Sequence, residues 1–401
     1  MIKMLTNDKW LIGITVMGVV LYMGFMGFVV LNDRCTDYYI YLISAYALGN
    51  GENVYTLPAS AFEAIAGQLG IVTQVGPYLY PTLTALVVYP LSFLPLRLGA
   101  AIWISLSGVA ALASGLILCS FTTEKWKQRV ILLSTVAFFP VLTTMNQGQV
   151  NLFVLLTVVL TLYYLHHGRN VLGGLIFSMS ILLKPFAIAL IPLMIWRRKW
   201  KALGGFLLGV LLITMLSLAV FGISSTISQI GPLIGKSGLS IAIPSGLNMS
   251  LTVQNLNGLL GRATTGISAP IGLMLYLAIA GLVGIITVAA IAIKPADRRY
   301  FEIEAALLIV TTHLITPLTW YHHLTMLIIV FALIIVYWDD FKLDMTAILL
   351  LLGLILTDMH GLLWKQLSNL HPILSNFPVL TALLLWCLAL AIVRRSKETP
   401  G

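Results

Sequence analysis

Two aspartates, Asp33 and Asp37, follow the first long apolar segment of the chain and are the residues best suited to do chemistry. The chain has only 14 acidic residues in 401, so two carboxylates just beyond an apolar segment need an explanation. A carboxylate there can act as a general base on a hydroxyl group or bind a cation. The structural alternative is a helix cap, because Asp37 is well placed to begin a short helix at the membrane surface.

Two cations interrupt apolar or weakly polar stretches and are candidates for binding a phosphate. Lys184 lies inside the apolar run 171–196. Placing an ionisable group at membrane depth costs free energy, so such a residue indicates a functional site. A lysine that faces a cavity holds a phosphate as a point charge, and the guanidinium of Arg262 can bind two phosphate oxygens at once. The structural alternatives are a Lys184 side chain that extends to the membrane interface and an Arg262 that anchors a surface helix to lipid headgroups.

Two adjacent histidines, His322 and His323, lie beside Trp320 between two apolar runs. Histidines that share a zinc ion on a helix are four positions apart, so this pair does not form that motif. A lone histidine would be an ordinary polar residue at the membrane interface, but two beside a tryptophan indicate binding of a sugar or a phosphate.

Amide and tyrosine side chains complete the set of candidates. Gln149 and Asn151 belong to the amide-rich break 146–151, which could contact a sugar or form an ordinary polar turn. Tyr80 belongs to the segment Pro77–Pro81 before the second apolar run, and from the residues alone its role is structural.

The composition identifies an integral membrane protein. The chain is 59% hydrophobic and 9% charged, with a mean hydropathy of +0.99, whereas a soluble domain is about 25% charged. The net charge of +9 is spread over short loops, with no basic stretch interleaved with aromatic residues, and indicates membrane topology rather than nucleic-acid binding. The three cysteines form no disulfide framework or metal pattern, so no cofactor is expected, although a divalent cation is left open.

About twelve apolar segments, with a range of 11–13, are long enough to be membrane helices. The first is too long for a signal-peptide core and lacks a small-residue cleavage site, so it is expected to be retained. The twelve are Trp10–Leu31, Tyr80–Pro95, Leu98–Ser120, Val130–Met145, Val150–Leu165, Val171–Trp196, Ala202–Gly222, Ile271–Lys294, Ala305–Thr316, Leu324–Trp338, Met345–Leu356 and Val379–Val393.

A single membrane domain, 1–401, is therefore expected, with two long polar interruptions at 32–79 and 223–270 that carry surface helices. The distribution of lysine and arginine puts both termini in the cytoplasm and both long loops on the outer face. Twelve crossings leave four cations on the wrong side, namely Lys125, Lys127, Arg129 and Arg169. They would move inside if Tyr80–Pro95 were re-entrant and the sixth segment broke at Lys184.

Taken in order, these segments resemble glycosyltransferase family 87, within the GT-C superfamily of membrane glycosyltransferases. The resemblance extends over about residues 33–323. It departs from the family at Thr82, at Val253–Asn255 and at the threonines of Thr316–His323. The positions that carry it are Asp37, Ile40-Tyr41, Gly49-Asn50-Gly51, Tyr55, Tyr78–Thr82, Gly148–Asn151, Lys184-Pro185, Arg197–Lys199, Leu256–Arg262 and Thr316–His323.

The resemblance implies an all-α fold and favours the count of twelve crossings. It also implies transfer of a hexose, of the mannose type, from a polyprenyl phosphate to a hydroxyl of a glycolipid or glycan, with inversion. Asp37 would be the base, with Asp33 the weaker alternative. Lys184 and Arg262 would hold the phosphate, and the two histidines would assist. The expected location is a bacterial-type plasma membrane with the active site on its outer face.

Two other functions compete with this interpretation. A transporter or flippase for an amphipathic substrate predicts paired charges near the membrane midplane and repeated halves. The sequence has one such lysine and no internal repeat. A non-catalytic subunit with the same fold is the third hypothesis, and the joint presence of Asp37, Lys184 and the histidine pair argues against it.

Overall fold

The computed structural model describes residues 8–32, 35–73, 75–228, 247, 250, 253–264, 268–292, 300–317, 319–337 and 376–395. Asp33 and the predicted segment Met345–Leu356 lie outside the described residues. Within these ranges all regular structure is helical, apart from one antiparallel β-bridge between Val253 and Trp320.

The helices alternate with short connections. Three short 3-10 helices among the described residues occupy Tyr89–Phe93, Pro185–Ala187 and Tyr321–Met326. The α-helices, in chain order, are α1 (Asp8–Asn32), α2 (Thr36–Gly49), α3 (Ala59–Gln68), α4 (Thr82–Val88), α5 (Leu96–Cys119), α6 (Lys125–Ala137), α7 (Phe139–Gln147), α8 (Asn151–His166), α9 (Asn170–Leu183), α10 (Leu190–Trp196), α11 (Trp200–Ser228), α12 (Leu256–Ala263), α13 (Ala269–Ala292), α14 (Phe301–Ile315), α15 (Leu327–Val336) and α16 (Phe377–Arg395).

Five of the described helices, α1, α5, α11, α13 and α16, are long and apolar enough to cross a membrane. The number rises to seven if two bent pairs count as one span each, α6 with α7 and α9 with α10. Every residue from Leu327 to Ile335 in α15 is buried, whereas α1 and α11 expose many large apolar side chains. A helix that is apolar all round belongs in a core, and exposed apolar faces suit contact with lipid. The chain is therefore an all-α polytopic membrane protein, and the count of twelve crossings is not confirmed.

Helix α8 defines two ends of the bundle, called here the Asn151 end and the His166 end. Its 16 residues separate these ends by about 24 Å. At the His166 end, the ring of His166 lies 3.1 Å from a carboxylate oxygen of Glu302 in the first turn of α14. Two residues further on, Glu304 accepts hydrogen bonds from Arg197, one of them 2.8 Å long from Nε. His166 and Arg197 therefore lie at the same end of the bundle.

The segment between His166 and Arg197 thus enters the bundle and returns to the end from which it started. Helices α9 and α10 are bent by 117° at a break on Lys184, which has an extended backbone (φ −163°, ψ 121°). Pro185 explains the break, because proline disfavours helical geometry in the residue before it. The segment predicted as the single crossing Val171–Trp196 is instead re-entrant.

The segment predicted as the second crossing, Tyr80–Pro95, also starts and ends at one end of the bundle. Tyr80 hydrogen bonds Gln149 near the start of α8, and Gly99, just beyond Pro95, packs against Tyr38 of α2. Between Tyr80 and Pro95 lie only the seven-residue helix α4 and a 3-10 helix. Pro90 and Pro95 prevent a longer α-helix here, because proline interrupts helical hydrogen bonding.

These two re-entrant segments are the features that the alternative topology requires. Lys127 donates to the last carbonyl group of α15, on Val336, and the next residue, Tyr337, hydrogen bonds Glu302. Arg169 lies three residues after His166. Both cations therefore lie at the His166 end together with Arg197. The alternative topology predicts this grouping for Lys127 and Arg169.

Helix α2 forms where a short helix at the membrane surface was predicted, and other parts of the protein cover most of it. Ten of its 14 residues are buried. Cys35 is the N-cap residue and no side chain caps the helix, so Asp37 lies inside the first turn and does not act as a cap. The reason is the aromatic content of the helix: Tyr38 and Tyr41 pack against Trp103 of α5, with ring centroids 5.9 and 6.0 Å apart.

Candidate active site

Seven of the predicted residues meet at the Asn151 end of the bundle. They come from five separate segments: the first turn of α2, the entry to α4, the turn between α7 and α8, the break between α9 and α10, and the 3-10 helix before α15. The residues are Asp37, Tyr80, Gln149, Asn151, Lys184, His322 and His323.

The ammonium group of Lys184 is the centre of this group. Its Nζ donates to Oδ1 of Asn151 at 3.0 Å and lies 3.0 Å from Nε2 of His323. It also lies 5.2 Å from the ring centre of Tyr80 and 4.9 Å from that of Phe186. An ammonium group has three N–H donors, and Asn151 accepts one of them, so N–H donors remain for a ligand. Aromatic faces attract the cation without occupying its donors.

Gln149 joins two tyrosines through a fully buried amide. Its Oε1 accepts a hydrogen bond from the hydroxyl of Tyr41 at 3.0 Å, and its Nε2 donates to the hydroxyl of Tyr80 at 2.9 Å. These bonds fix the orientation of the amide and leave Tyr80 with its own hydroxyl proton to donate. The amide of Gln149, which was predicted to contact a sugar, therefore holds the side chains of Tyr41 and Tyr80 in place.

Gly148 allows this turn to approach α2. It has φ of +67°, in the left-handed region, and its carbonyl group accepts a hydrogen bond of 2.7 Å from the indole of Trp103. A Cβ atom at this position would lie 2.8 Å from Cβ of Cys35 and 2.9 Å from Cβ of Tyr38. Glycine is therefore required both for the backbone conformation and for the close contact.

Asp37 is partly buried, and its surroundings raise its pKa. Burial raises the pKa of Asp37 to about 6, against the opposing effects of the Lys184 charge and of a hydrogen bond with Gln149. Burial penalises the charged carboxylate, whereas a nearby cation and a donor favour it. A carboxyl group with a pKa in this range can accept a proton near neutral pH.

The histidine pair is held in place by its backbone. The carbonyl group of His322 accepts hydrogen bonds from Asn151 Nδ2 at 2.6 Å and from Thr144 at 3.1 Å. The ring of His322 is 5% exposed and its Nε2 has no hydrogen-bond partner. Burial and the charge of Lys184 lower the pKa of His322 well below its ordinary value, so the ring is neutral. Trp320, which is 39% exposed, stacks on His323 with the ring centroids 5.7 Å apart.

Arg262 does not join this group among the contacts of the described residues. It is buried, and its guanidinium donates to the carbonyl groups of Ser250 and Val253 and to Oδ1 of Asn376. These bonds use Nε and both terminal nitrogens, so Arg262 ties α12 to the start of α16. The predicted role in holding a phosphate remains a prediction, whereas a structural role is visible.

Sequence reasoning missed three residues that shape the site. Tyr41 lies one helical turn after Asp37, and Trp103 contacts the turn at Gly148. His313 of α14 contacts the carbonyl group of His323. His313 also lies inside an apolar segment, so the rule that singled out Lys184 would have found it. Tyr41 is among the positions that carry the family resemblance but was given no role, and nothing in the sequence alone marks Trp103.

The described residues contain no group of three or more His, Cys, Asp or Glu side chains that could hold a metal ion. The positive charge of Lys184 acts on Asp37.

Comparison with known proteins assigns the family. Two curated relatives, both named α-(1→3)-arabinofuranosyltransferase, come from Mycobacterium tuberculosis strains CDC 1551 / Oshkosh and ATCC 25618 / H37Rv, and each is 30% identical over 132 residues. That match covers 31% of this chain and 30% of each relative, so the chain aligns with less than a third of their length. No solved structure matches the chain. The sequence model of glycosyltransferase family 87 matches residues 78–317, more than half of the chain, including Tyr80, Gln149, Asn151 and Lys184. The chain therefore belongs to glycosyltransferase family 87.

Proposed function

We propose that this protein transfers a sugar from a polyprenyl phosphate to a hydroxyl group of a glycolipid or glycan, with inversion at the anomeric carbon. The observation that carries the proposal is a partly buried carboxyl group, Asp37, on which the charge of a partly buried ammonium group, Lys184, acts. The first suits removal of a proton and the second suits a phosphate that leaves.

Asp37 acts as the general base. It accepts the proton of the acceptor hydroxyl as the oxygen attacks the anomeric carbon. The bond from that carbon to the phosphate oxygen breaks, and the lipid phosphate leaves with the electron pair. Because phosphate is already a good leaving group, correct positioning and one base are sufficient chemistry.

Lys184 holds the phosphate. Asn151 accepts a hydrogen bond from the ammonium group and His323 contacts it, and a further N–H of Lys184 donates to a phosphate oxygen. The interaction strengthens as charge develops on the leaving phosphate, which is the condition for lowering the barrier. The unpartnered Nε2 of His322 and the half-exposed Trp320 offer a polar contact and an aromatic face to the sugar.

The site faces the outer side of the membrane. It lies at the Asn151 end, whereas Arg197, Lys127 and Arg169 lie at the His166 end. Cationic loops favour the cytoplasmic side, so the Asn151 end faces outward. The same rule places both termini in the cytoplasm.

The donor sugar is of the mannose type if the resemblance of the motifs holds. The named activity of the curated relatives makes arabinofuranose the second candidate. Both donors therefore belong in the first experiment.

The test uses the purified protein in nanodiscs with polyprenyl-phosphate mannose and polyprenyl-phosphate arabinofuranose, and with glycolipid and glycan acceptors. Transfer by the wild type, lost by about a hundredfold or more in Asp37→Asn, is expected for removal of a general base. Glu52→Gln is the matched control, because Glu52 is an exposed carboxylate of the same loop. Vectorial movement of a lipid-linked substrate without any transfer would instead establish the transporter.

A further inference from the structure

His313 is a buried histidine that the proposed chemistry does not use. It lies in the last turn of α14, is 3% exposed, and sits inside an apolar segment. We propose that His313 is a positioning residue that holds His323, and through it the ammonium group of Lys184, in the place that receives the donor phosphate. This inference rests on the proposed function and assigns a residue to the same site.

The first step is the contact between His313 and His323. Nε2 of His313 lies 2.8 Å from the carbonyl oxygen of His323, and Nδ1 lies 2.8 Å from the carbonyl oxygen of Ile309. Ile309 is four residues earlier in the same helix, so that contact is local. Both partners are carbonyl oxygens and a neutral imidazole has one N–H, so the proposal takes Nε2 as the donor. The hydrogen bond from Nε2 joins α14 to the 3-10 helix that carries the histidine pair. The hydroxyl of Thr319 donates a hydrogen bond of 3.0 Å to the carbonyl group of His313, which is a second contact between α14 and the segment before the 3-10 helix.

The second step runs from His323 to Lys184. Nε2 of His323 lies 3.0 Å from Nζ of Lys184. The backbone of His323 is therefore fixed by His313, while its ring is in contact with the ammonium group. A displacement of this backbone would move one of the two polar contacts that hold Lys184.

Phe186 makes the three side chains one packed unit. Its ring centroid lies 5.4 Å from that of His313 and 4.5 Å from that of His323, and Lys184 Nζ lies 4.9 Å above it. The rings of His313 and His323 therefore both pack against Phe186. The position of Lys184 is thus set by the ring of Phe186 and by His323, which His313 holds in place.

A general structural role is the alternative, since a histidine near a helix C-terminus often hydrogen bonds a free carbonyl group. His167 provides the matched control, because its Nδ1 lies 2.8 Å from the carbonyl oxygen of Tyr163, four residues earlier. It reproduces the local contact of His313 at the opposite end of the bundle. The two positions differ in the contact with His323.

The experiment compares His313→Leu, His313→Gln and His167→Leu with the wild type in nanodiscs. Glutamine keeps an N–H donor at about the reach of Nε2, and leucine removes it. We expect His313→Leu to raise the donor KM about tenfold, the effect of one buried hydrogen bond, with a smaller change in kcat. His313→Gln should remain within about threefold of the wild type, and His167→Leu should match the wild type.

A double-mutant cycle separates action through Lys184 from general destabilisation. In the Lys184→Met background, His313→Leu should change donor binding by less than about twofold, because the group that it positions is gone. An undiminished tenfold effect in that background would overturn the proposal. A folded His313→Leu variant with the donor KM of the wild type would also overturn the proposal. The same holds if His313→Gln raises the donor KM as much as His313→Leu does although the two variants have equal unfolding midpoints.

Binding of polyprenyl phosphate to the same variants gives a readout that needs no chemistry. A wild type that binds this lipid tightly and transfers no sugar refutes the proposed function, while the binding constants of the variants still decide the role of His313. Equal binding by the wild type, His313→Leu and Lys184→Met would refute the positioning role.

Discussion

The ammonium group of Lys184 donates a 3.0 Å hydrogen bond to the amide oxygen of Asn151, 33 residues earlier in the chain. One residue lies at the break of a re-entrant helix pair and the other begins α8. The contact therefore brings a charge from the interior of an apolar segment to the entrance of the candidate active site. The amide nitrogen of Asn151 donates to the carbonyl group of His322, so the same side chain also holds the histidine pair.

Replacing Lys184 by methionine should weaken donor binding. The substitution keeps an unbranched chain of similar length and removes the charge that would hold the phosphate. We expect the donor KM to rise at least about tenfold, as for loss of a charge-assisted hydrogen bond. Lys199→Met is the control, since Lys199 makes a similar contact of 5.1 Å with the ring of Phe301 at the His166 end. Equal donor KM values for both variants would contradict the assignment.

The pH dependence of transfer should report the ionisation of Asp37. The group can accept a proton only as a carboxylate, and its pKa of about 6 places this form above pH 6. We therefore expect kcat/KM for the acceptor to fall about tenfold per pH unit below about pH 6. Lys184→Met and Gln149→Leu should both move this acid limb to higher pH, because both groups lower the pKa of Asp37.

A limb at about pH 4 in the wild type, the range of an exposed carboxylate, would show that the titrating group is not the partly buried Asp37. A limb that stays in place when Gln149 is changed would show that the amide does not act on the base.

Gly148→Ala should destabilise the protein more than Gly168→Ala. Both glycines have positive φ, +67° and +73°, so the conformational cost to alanine is shared, at about 1–2 kcal/mol. A Cβ at Gly148 would also collide with Cys35 and Tyr38, whereas nothing lies within 4 Å at Gly168. The free energy of unfolding should therefore fall by about 1–3 kcal/mol more for Gly148→Ala. Denaturant unfolding in detergent measures the difference, and equal losses would show that the close contact is unimportant.

Arg262→Met should act mainly on stability. The guanidinium joins α12 to Asn376 and to two carbonyl groups, and methionine leaves these buried groups without their donor. We expect the free energy of unfolding to fall by about 3 kcal/mol. The donor KM, measured at a temperature where the variant is folded, should stay near the wild-type value. A fully stable variant with a raised donor KM would instead support the phosphate-binding role that the sequence suggested.

Several features of the fold could be predicted because they depend on local chemistry. Long apolar runs give long helices, and α1, α5 and α13 lie within a few residues of the predicted segments. Pro185 marks the break at Lys184, since proline acts on the residue directly before it. The sequence also selected most of the residues that meet at the site, because ionisable and amide groups are costly in an apolar chain unless they serve a purpose.

The tertiary structure decided which of these groups meet and what they do there. Whether the segment around Lys184 crosses or returns depends on the long-range contacts of His166 and Arg197 with α14, which no local pattern encodes. Arg262 was a reasonable phosphate ligand by residue type, but its partner Asn376 lies 114 residues away. By itself the sequence determined the membrane class, the helical segments and the candidate side chains, since these follow from hydropathy and residue chemistry. Packing determined the rest, because the contacts that join distant segments exist only after the chain has folded.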